Sequence, residues 1–480
     1  MTDRSDPRRR GVLAPVPIVR VTLRIVGCAF FMEAVDANII VTALAAISRD
    51  FGSDPVALKI AITSYIVGLG MCIPVCGWLA DRFGTRTIFR IAIGIFVAGS
   101  LMCASSRSLY IFTVARFVQG VGGAMMVPVG RIIVVRAVPK SQFFQAMDWL
   151  NITWIVAPAL APVLGGFATT YLHWRVIFII NVPIGVALIY LSSRHIANLQ
   201  ESDPGRFDLP GSFLSATGAS LLLLGLSLVG SDIAADATAW GMSLVGISLL
   251  ALYALYARRA ELPTLDLRFF NIPTFRASVL GGSMFRLGYG AVLFLLPLSL
   301  QVGLGMTAFE SGLLTCASAS GSLLMRPLTA LTLRMFGFRT VLIYNAALSC
   351  AAMAATGTFA REMPLFSMWV IVLVGGFFYA LQVASINSLT YADITESNIG
   401  RATSLGSVVQ YMSLGLGVAI GGLVLEVSCE MNGHMYAMSS DFLPAFFVAG
   451  LFSLGSIPFS RRLPTDAGNE MAGGATNSKR

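Results

Sequence analysis

Charged residues are scarce in this chain of 480 residues, where Asp, Glu, Lys and Arg make up 12% and hydrophobic residues make up 56%. A soluble globular protein carries about twice that charged share. Long hydrophilic stretches are lacking too, so no part of the chain can fold as a separate soluble domain. This much apolar surface requires lipid to cover it. The composition therefore excludes an ordinary soluble protein and predicts a polytopic, all-α membrane protein.

Cysteine and histidine are also few, with seven and three residues, and they show no metal-ligand spacing. We therefore expect neither a metal site nor a disulfide framework. No Gly-x4-Gly-Lys-Ser/Thr stretch is present, so ATP is not the evident energy source, and we expect no cofactor. A membrane-embedded enzyme or a receptor lacks support, because the sequence has no nucleophile-and-base constellation and no soluble sensing domain. The net charge of +9 is scattered between apolar runs, so we expect no nucleic-acid partner.

Apolar segments follow one another along the chain, and a membrane-spanning helix needs about 20 mostly apolar residues. The sequence predicts fourteen spans, at 19–46, 57–79, 87–105, 109–138, 144–171, 175–192, 210–230, 237–256, 274–300, 310–332, 338–358, 365–390, 399–427 and 442–462. The first segment is too long for a cleavable signal peptide and carries two acids, so we expect no such peptide.

Lys and Arg are distributed unevenly between the loops, and this bias sets the orientation of a membrane protein. With the N-terminus inside, most basic residues face the cytoplasm. The outer side receives only Arg49, Lys59, Arg107, Arg175 and Arg361. An even number of spans then places both termini in the cytoplasm.

A charged turn between the second and third predicted spans is the most specific motif. It contains Gly77, Asp81, Arg82, Gly84 and Arg86, and we predict that it acts as a gate. The residues 83–87, Phe-Gly-Thr-Arg-Thr, are echoed 253 positions later by Phe-Gly-Phe-Arg-Thr at 336–340. A repeated turn in a polytopic chain predicts two duplicated bundles, which is typical of secondary transporters.

Two acids in the first predicted span are candidates for carrying protons, because ionisable side chains inside a span usually mark a pathway. Glu33 and Asp36 lie three residues apart and share a helix face. Adjacent carboxylates repel in a low-dielectric setting, so at least one of them should hold a proton readily and release it to the other side. The alternative is that one acid pairs with an arginine only to hold the bundle together.

Arg116 in the fourth predicted span is the expected partner of these acids. Gln119, Gly120 and Gly123 share its helix face, and the glycines allow a neighbouring helix to approach closely. Packing alone would explain the glycines but not a buried Arg and Gln. We therefore predict a proton-coupling group of Asp36, Glu33 and Arg116.

The fifth predicted span contains Pro158 and Pro162, which remove backbone donors and kink a helix, followed by Gly165 and Gly166. Small residues around the prolines permit a tight, pivoting contact. The alternative is an ordinary kinked membrane helix.

The predicted substrate cavity combines Asn38 and Gln119 with Arg286 and Arg326, two arginines inside second-half spans. Either arginine would attract an anionic substrate or pair with a carboxylate, yet no acidic partner is evident inside those spans. Two further acids lie near span ends, where a solvated side chain is the simpler expectation. They are Glu310 and Glu426.

These residues together resemble the 14-span drug:proton antiporter branch of the major facilitator superfamily. The pattern Gly-x-Leu-Ala-Asp-Arg-x-Gly-x-Arg at 77–86 is similar to that family's loop between spans 2 and 3. Further similarity comes from Arg-Phe-Val-Gln-Gly at 116–120, the fifth-span Pro/Gly element, the stretch 174–183, and Phe-Asp-Leu-Pro-Gly at 207–211.

The resemblance implies a major facilitator fold of two six-helix bundles around a central cavity, with two additional spans between them. It also implies proton-driven alternating access, a small-molecule substrate, and a monomer in the lipid bilayer of a bacterial inner membrane. The expected organisation is a cytoplasmic arm at 1–18, a first bundle at 19–192, a linker region with two additional helices at 193–273, a second bundle at 274–462 and a tail at 463–480.

Several positions depart from the family pattern. In the first span, Asn38, Val41 and Ala45 stand where the family has Thr, Asn and Pro, and Glu33 is an additional acid. In the fifth span, Ala157 and Ala161 replace the glycines before the prolines. The leading hypothesis is proton-coupled export of drugs or other amphipathic compounds. The alternative is export of one metabolite such as an organic anion, which the buried arginines favour.

Overall fold

The computed structural model describes residues 16–138, 143–200, 207–230, 234–261, 263–395, 398–434 and 437–464. Helices account for nearly all the secondary structure of these residues, and no β-strand occurs among them. Most of the predicted arm at 1–18 and of the predicted tail at 463–480 lies outside the described residues.

Sixteen α-helices follow one another along the described chain. In the first half they are α1 (Val16–Ile39), α2 (Leu44–Phe51), α3 (Lys59–Phe83), α4 (Thr85–Ser105), α5 (Leu109–Ala137), α6 (Phe143–Tyr171), α7 (Val176–Ile179) and α8 (Asn181–His195). Two additional helices follow, α9 (Leu209–Leu228) and α10 (Asp236–Arg259). The second half contains α11 (Pro273–Leu298), α12 (Ala308–Thr356), α13 (Leu365–Thr390), α14 (Ile399–Asn432), α15 (Phe442–Leu454) and α16 (Ile457–Arg461).

Twelve helical segments of the described chain are long and apolar enough to cross a membrane, by length and composition. One of them, α12, contains two of the predicted spans, 310–332 and 338–358. Its backbone leaves the helical conformation between these two spans, at Gly337. The predicted fifth span is α6, which is not among the twelve because its apolar part, Val156–Tyr171, is shorter. A helix therefore stands at each of the fourteen predicted positions.

The sequence repeat extends to the backbone. Gly84, between α3 and α4, has φ 94° and ψ 139°, and Gly337, in the echoed turn, has φ 73° and ψ 159°. Residues with a side chain rarely adopt a positive φ, whereas glycine does so readily. Each half of the protein thus turns at an equivalent glycine, as the predicted duplication requires.

Each half forms a bundle of its own. In the first, α3 and α4 pack against α5, and α1 packs against α6; in the second, α11 packs against α14 and α12 against α13. Glycines set the closest approaches. A Cβ atom at Gly68 of α3 would lie 2.6 Å from the carbonyl oxygen of Phe117 on α5. Small residues let membrane helices approach to backbone contact, which is how these apolar helices gain packing energy in lipid.

The additional helices α9 and α10 pack against each other, and Asp208 fixes the start of this pair. Its carboxylate caps α9 by accepting from the Gly211 N–H (2.9 Å). It also accepts from the Tyr256 hydroxyl (2.6 Å) and from the Thr264 N–H (2.9 Å). Burial alone would raise the pKa of Asp208, but these hydrogen bonds outweigh burial and hold the pKa below its usual value.

The two bundles meet at one end of the molecule and separate towards the other. Every residue of α3 from Lys59 to Leu69 is buried, but beyond Leu69 only Cys76 and Ala80 are. Gly70 and Gly77 lie on the same helix face as Lys59, yet no described non-local atom comes within 4 Å of a Cβ placed on either. We call the two ends the Lys59 end, which is closed, and the Asp81 end, which is open.

We predict that Gly84→Ala destabilises the protein by about 1–3 kcal/mol, the usual cost of a side chain in a sparsely populated backbone region. The new methyl group would also press on the side chain of Asn198, which accepts a hydrogen bond from the Thr87 N–H. Scanning fluorimetry of the detergent-purified protein measures the change in Tm. Gly77→Ala is the matched control, since it adds the same methyl group into open space, and an equal loss there would contradict the assignment.

Candidate functional site

The first membrane helix is interrupted just after its two acids. Glu33 and Asp36 lie on α1, which ends at Ile39 and gives way to a 3₁₀ turn at Ile40–Ala43 before α2 begins. Both acids are almost fully buried, with 2% and 1% exposure. A 3₁₀ stretch inside a long helix often marks a hinge. The acids therefore lie close to a change in helix geometry.

Asp36 is held by three side chains from two other helices. Arg116 of α5 donates from Nη1 to Asp36 Oδ2 (2.7 Å). Gln119, one turn further along α5, donates from Nε2 to Asp36 Oδ1 (2.8 Å), and Asn181 of α8 donates to the same oxygen (2.7 Å). Arg116 Nη1 also donates to Gln119 Oε1 (2.6 Å). We call these four residues, together with Ser100, the Asp36 network.

Ser100 of α4 completes the network by accepting from Gln119 Nε2 (2.8 Å) and from Asn181 Nδ2 (3.2 Å). Neither Ser100 nor Asn181 was predicted from the sequence to belong to the site. Asn181 lies inside the 174–183 stretch, so a polar residue within that motif was the available signal. Ser100 gave no signal, because isolated serines are common in membrane helices.

Glu33 lies apart from this ion pair but close to it. Its Oε1 accepts from the Tyr65 hydroxyl (3.0 Å), while Oε2 is buried with no hydrogen-bond partner among the described residues. The ring of Tyr65 stacks under the Arg116 guanidinium, 4.2 Å from Cζ to the ring centroid. Tyr65 thus lies between the second acid and the arginine that holds the first.

The fifth-span element lies where α6 packs against both α1 and the second bundle. Pro158 is half-buried, whereas Pro162, Gly165 and Gly166 are buried. A Cβ at Gly165 would press on Thr42 and Ile39, the edge of the 3₁₀ turn, and one at Gly166 would press on Ala308 and Phe309 at the start of α12.

A glycine of α12 also permits close approach to α6. A Cβ at Gly312 would press on the carbonyl oxygen of Pro162, so the two helix backbones touch. This contact, together with the 3₁₀ turn that packs against α11 and α12, joins the two bundles near the Lys59 end.

The predicted gating turn is held within the first bundle. Asp81 accepts from Arg136 Nη2 at the end of α5 (2.8 Å), and Arg86 Nη1 donates to the carbonyl oxygen of Ile196 (3.4 Å). Arg82 is exposed, and Gly77 faces open space. The turn therefore connects α3, α5 and the end of α8 at the open end.

The remaining predicted cavity residues lie apart from the Asp36 network, whereas Gln119 belongs to it. Asn38 is half-buried and donates to the Ala34 carbonyl of its own helix (2.7 Å). Arg286 is buried, with 7% exposure, and donates to the exposed Asn387 (3.0 Å), whereas Arg326 is exposed. None of these side chains shares a hydrogen bond with the Asp36 network in the described part of the chain.

Comparisons with known proteins agree with this architecture. The model of the Major Facilitator Superfamily matches residues 26–283, more than half of the chain. A relative from Klebsiella pneumoniae, named as multidrug resistance protein MdtD, is 35% identical over 459 residues, which cover 94% of this chain and 96% of the relative. MdtD of Salmonella typhimurium is 34% identical over 462 residues, with the same coverage.

Solved structures share the fold at low sequence identity. A D-xylose-proton symporter superposes with a TM-score of 0.67 at 15% identity and covers 94% of this chain and 99% of its own. A bacterial homologue of the transporter Spinster, in an inward-facing and unoccupied conformation, gives 0.66 at 14% identity, with coverage of 93% and 97%.

The chain belongs to the major facilitator superfamily. It is a multi-pass bacterial membrane protein and a secondary transporter of small molecules, not an enzyme. Within the residues that the structure describes, no cluster of His, Cys, Asp and Glu is suited to hold a metal ion.

We predict that Asn181→Ala lowers stability by about 1–3 kcal/mol, because it removes a hydrogen bond to a buried carboxyl group. Asn38→Ala is the control: its amide donates only within its own helix, and alanine favours helix more than asparagine does. Thermal unfolding of both variants in the same detergent makes the comparison. If Asn38→Ala costs as much as Asn181→Ala, the Asp36 network does not depend on Asn181.

Proposed function

We propose that this transporter is a proton-coupled antiporter that exports drugs or other small amphipathic compounds by alternating access. The observation that supports this most is the Asp36 network. A carboxyl group in the membrane interior, bonded to an arginine, a glutamine and an asparagine, lies next to the helix break that touches the second bundle. Ionisable groups in such positions commonly mark proton pathways.

Protonation of Asp36 would change this network chemically. An ionised carboxylate only accepts hydrogen bonds, whereas a protonated one must donate one. The neutral acid would therefore lose its ionic attraction to Arg116, and the donors of Gln119 and Asn181 would have one acceptor position fewer. The group thus has two arrangements that differ by one proton, which is what a coupling site requires.

The path from this site to the bundle contact is short. Asp36 is followed by the 3₁₀ turn at Ile40–Ala43, and that turn packs against Gly165 of α6 and against the second bundle. The backbone contacts between α6 and α12, which Gly166 and Gly312 permit, lie beside it. A rearrangement around Asp36 would therefore act where the bundles must separate, in the manner of a hinge between packed bodies.

Glu33 has a helper role in this proposal. Its single bond to Tyr65 leaves one carboxyl oxygen unpartnered among the described residues, so it has room to exchange a proton. Because the two acids share a helix face, they should titrate as a unit.

The substrate would enter at the open Asp81 end and bind in the cleft between the bundles. Arg326 lies 14 residues beyond Gly312 on α12, and at about 100° per residue the two are about 40° apart, so Arg326 faces the cleft that Gly312 closes. We assign Asn38, Gln119, Arg286 and Arg326 to this cavity and the Asp81 turn to its gate.

The Asp81 end would face the cytoplasm of the bacterial inner membrane, in keeping with the distribution of Lys and Arg. We expect both termini on that side and a monomeric protein. The similarity to MdtD, which is named for multidrug resistance, supports drugs as the substrate class.

We predict that Asp36→Asn abolishes substrate-induced proton movement, because asparagine keeps the shape but cannot carry a proton. Purified protein in proteoliposomes with an enclosed pH-sensitive dye measures this after addition of ethidium or tetraphenylphosphonium. Glu33→Gln should shift only the pH optimum of transport.

Exchange of labelled for unlabelled substrate without a proton gradient separates coupling from binding. This exchange should persist in Asp36→Asn if the variant still binds and moves its substrate. Proton movement that survives in the double variant Glu33→Gln/Asp36→Asn would show that the proton carrier lies elsewhere.

A second candidate function, export of an organic anion, is favoured by Arg286. This buried guanidinium has Asn387 as its hydrogen-bond partner and no ion pair to a carboxylate among the described residues. A buried cation without a counter-charge is costly, and an anionic substrate would supply that charge.

We predict for this candidate that Arg286→Gln weakens binding of naphthalene-2-sulfonate by about tenfold or more, the usual loss of a charge-assisted hydrogen bond. Binding of 2-naphthyltrimethylammonium, which has the same ring system and the opposite charge, should not weaken. Equilibrium binding of both labelled probes to purified protein measures the ratio. Arg276→Gln is the matched control, an exposed arginine of the same helix. If Arg286→Gln loses binding of 2-naphthyltrimethylammonium and keeps binding of naphthalene-2-sulfonate, this candidate is excluded.

A further inference from the structure

A second buried ion pair lies at the closed end, and it joins three separate parts of the chain. Lys59 at the start of α3 is fully buried, and its Nζ lies 2.8 Å from both carboxylate oxygens of Glu426 on α14. The same Nζ donates to the carbonyl oxygen of Val229, just beyond α9 (3.0 Å). One ammonium group of the first bundle thus bonds to the second bundle and to the additional helix pair at once.

From the sequence, Glu426 is expected to be a solvated side chain near a span end. That expectation was wrong, because the Glu426 side chain is only 17% exposed and faces Lys59. The partners are 367 residues apart along the chain, so no local pattern connects them. Glu310, in contrast, is exposed and forms a capping box with Thr307 at the start of α12.

Glycines make room for this pair. A Cβ at Gly422, one turn before Glu426, would lie 2.6 Å from Cδ of Lys59. Gly230, with φ 75°, passes so close to the Glu426 carboxylate that a Cβ there would collide with it. The lysine stem and the carboxylate thus fill spaces that side chains at these positions would block.

The helix α9 packs where α3 of the first bundle meets α14 of the second, and we call this contact the joint. Ser227 of α9 donates to Thr63 of α3 (2.9 Å), one turn from Lys59. Deeper in the membrane, a Cβ at Gly415 of α14 would touch Leu223 of α9 and Ile66 of α3. The helix α9 is therefore packed against both bundles at the same joint.

We propose that the Lys59–Glu426 ion pair is a latch that holds the two bundles together at the Lys59 end, and that α9 opens and closes with it. The pair lies between the bundles, so α3 and α14 cannot separate at this end without breaking it. In the closed state the two charges neutralise each other away from water, and in the open state water would solvate both. Two such arrangements, separated by loss of a buried pair, make a bistable element.

Two other ion pairs of the described residues in this part of the protein cannot act in the same way. The Asp36–Arg116 pair joins α1 and α5, both in the first bundle. The pair Asp50–Arg175 lies near the Lys59 end but also connects two parts of the first bundle. Separation of the bundles leaves both intact. The proposal rests on the alternating access of the proposed function but not on proton coupling or on the substrate.

Hydrogen–deuterium exchange of the full chain in lipid nanodiscs tests the latch without a transport assay. Glu426→Gln, which keeps the shape and removes the charge, should speed exchange by about tenfold or more in residues 56–66 and 419–430, since loss of a buried ion pair costs several kcal/mol. Residues 219–229 should respond together with them. Residues 85–100, in the interior of the first bundle, should not change.

Two further variants separate a latch from other effects. Lys59→Met/Glu426→Gln leaves no buried charge and should also open the joint, because a methionine side chain has no N–H to donate to the new glutamine or to the Val229 carbonyl. Asp50→Asn breaks an ion pair near the same end within one bundle, and it should leave the joint protected. If the ion-pair variants prove unstable, Thr63→Val removes only the bond from Ser227 and should speed exchange in 219–229.

The exchange rates of these variants can support or overturn the latch. Unchanged exchange in Glu426→Gln, or an equal response to Asp50→Asn, overturns the latch. A joint that opens in Glu426→Gln but stays closed in the double variant shows that an unpaired lysine, not a lost latch, caused the opening. Faster exchange in α3 and α14 with a protected α9 removes the additional helices from the proposal.

Discussion

A charge inside the bilayer must find its partner within the protein, and this constraint organises the molecule. The chain answers it in three different ways. Asp36 is neutralised and bonded inside one bundle, Lys59 and Glu426 are neutralised across two bundles, and Arg286 has only an amide partner among the described residues. The first arrangement suits a site that can change its charge, the second a contact that can break, and the third a position that can accept an anionic group.

Glycine supplies the second constraint, because helices in lipid attract one another only when they approach closely. The backbone contacts of Gly166 and Gly312, and the space that Gly422 leaves for Lys59, all lie where the bundles meet near one end. Towards the other end, Gly70 and Gly77 face open space in the described structure. Glycines therefore occur in both parts. They allow close contact where the opposite bundle is near, and they face open space where it is distant.

The predicted duplication accounts for the framework but not for the site. Gly84 and Gly337 have similar backbone conformations in the two halves, as the repeated turn predicts. The Asp36 network lies in the first half only, however, and the latch joins one residue from each half. The two halves share the repeated turn and differ in the polar residues that their helices carry.

The sequence alone determined the helical membrane fold, the fourteen helical positions and the equivalent turns, because hydropathy and glycine act over short stretches of chain. It also identified Asp36, Arg116 and Gln119 as notable, since polar residues stand out in apolar helices. Tertiary structure alone decided that Ser100 and Asn181 complete the network and that Lys59 meets Glu426. Those contacts depend on how helices far apart in sequence rotate and cross, and packing of whole bundles sets that geometry.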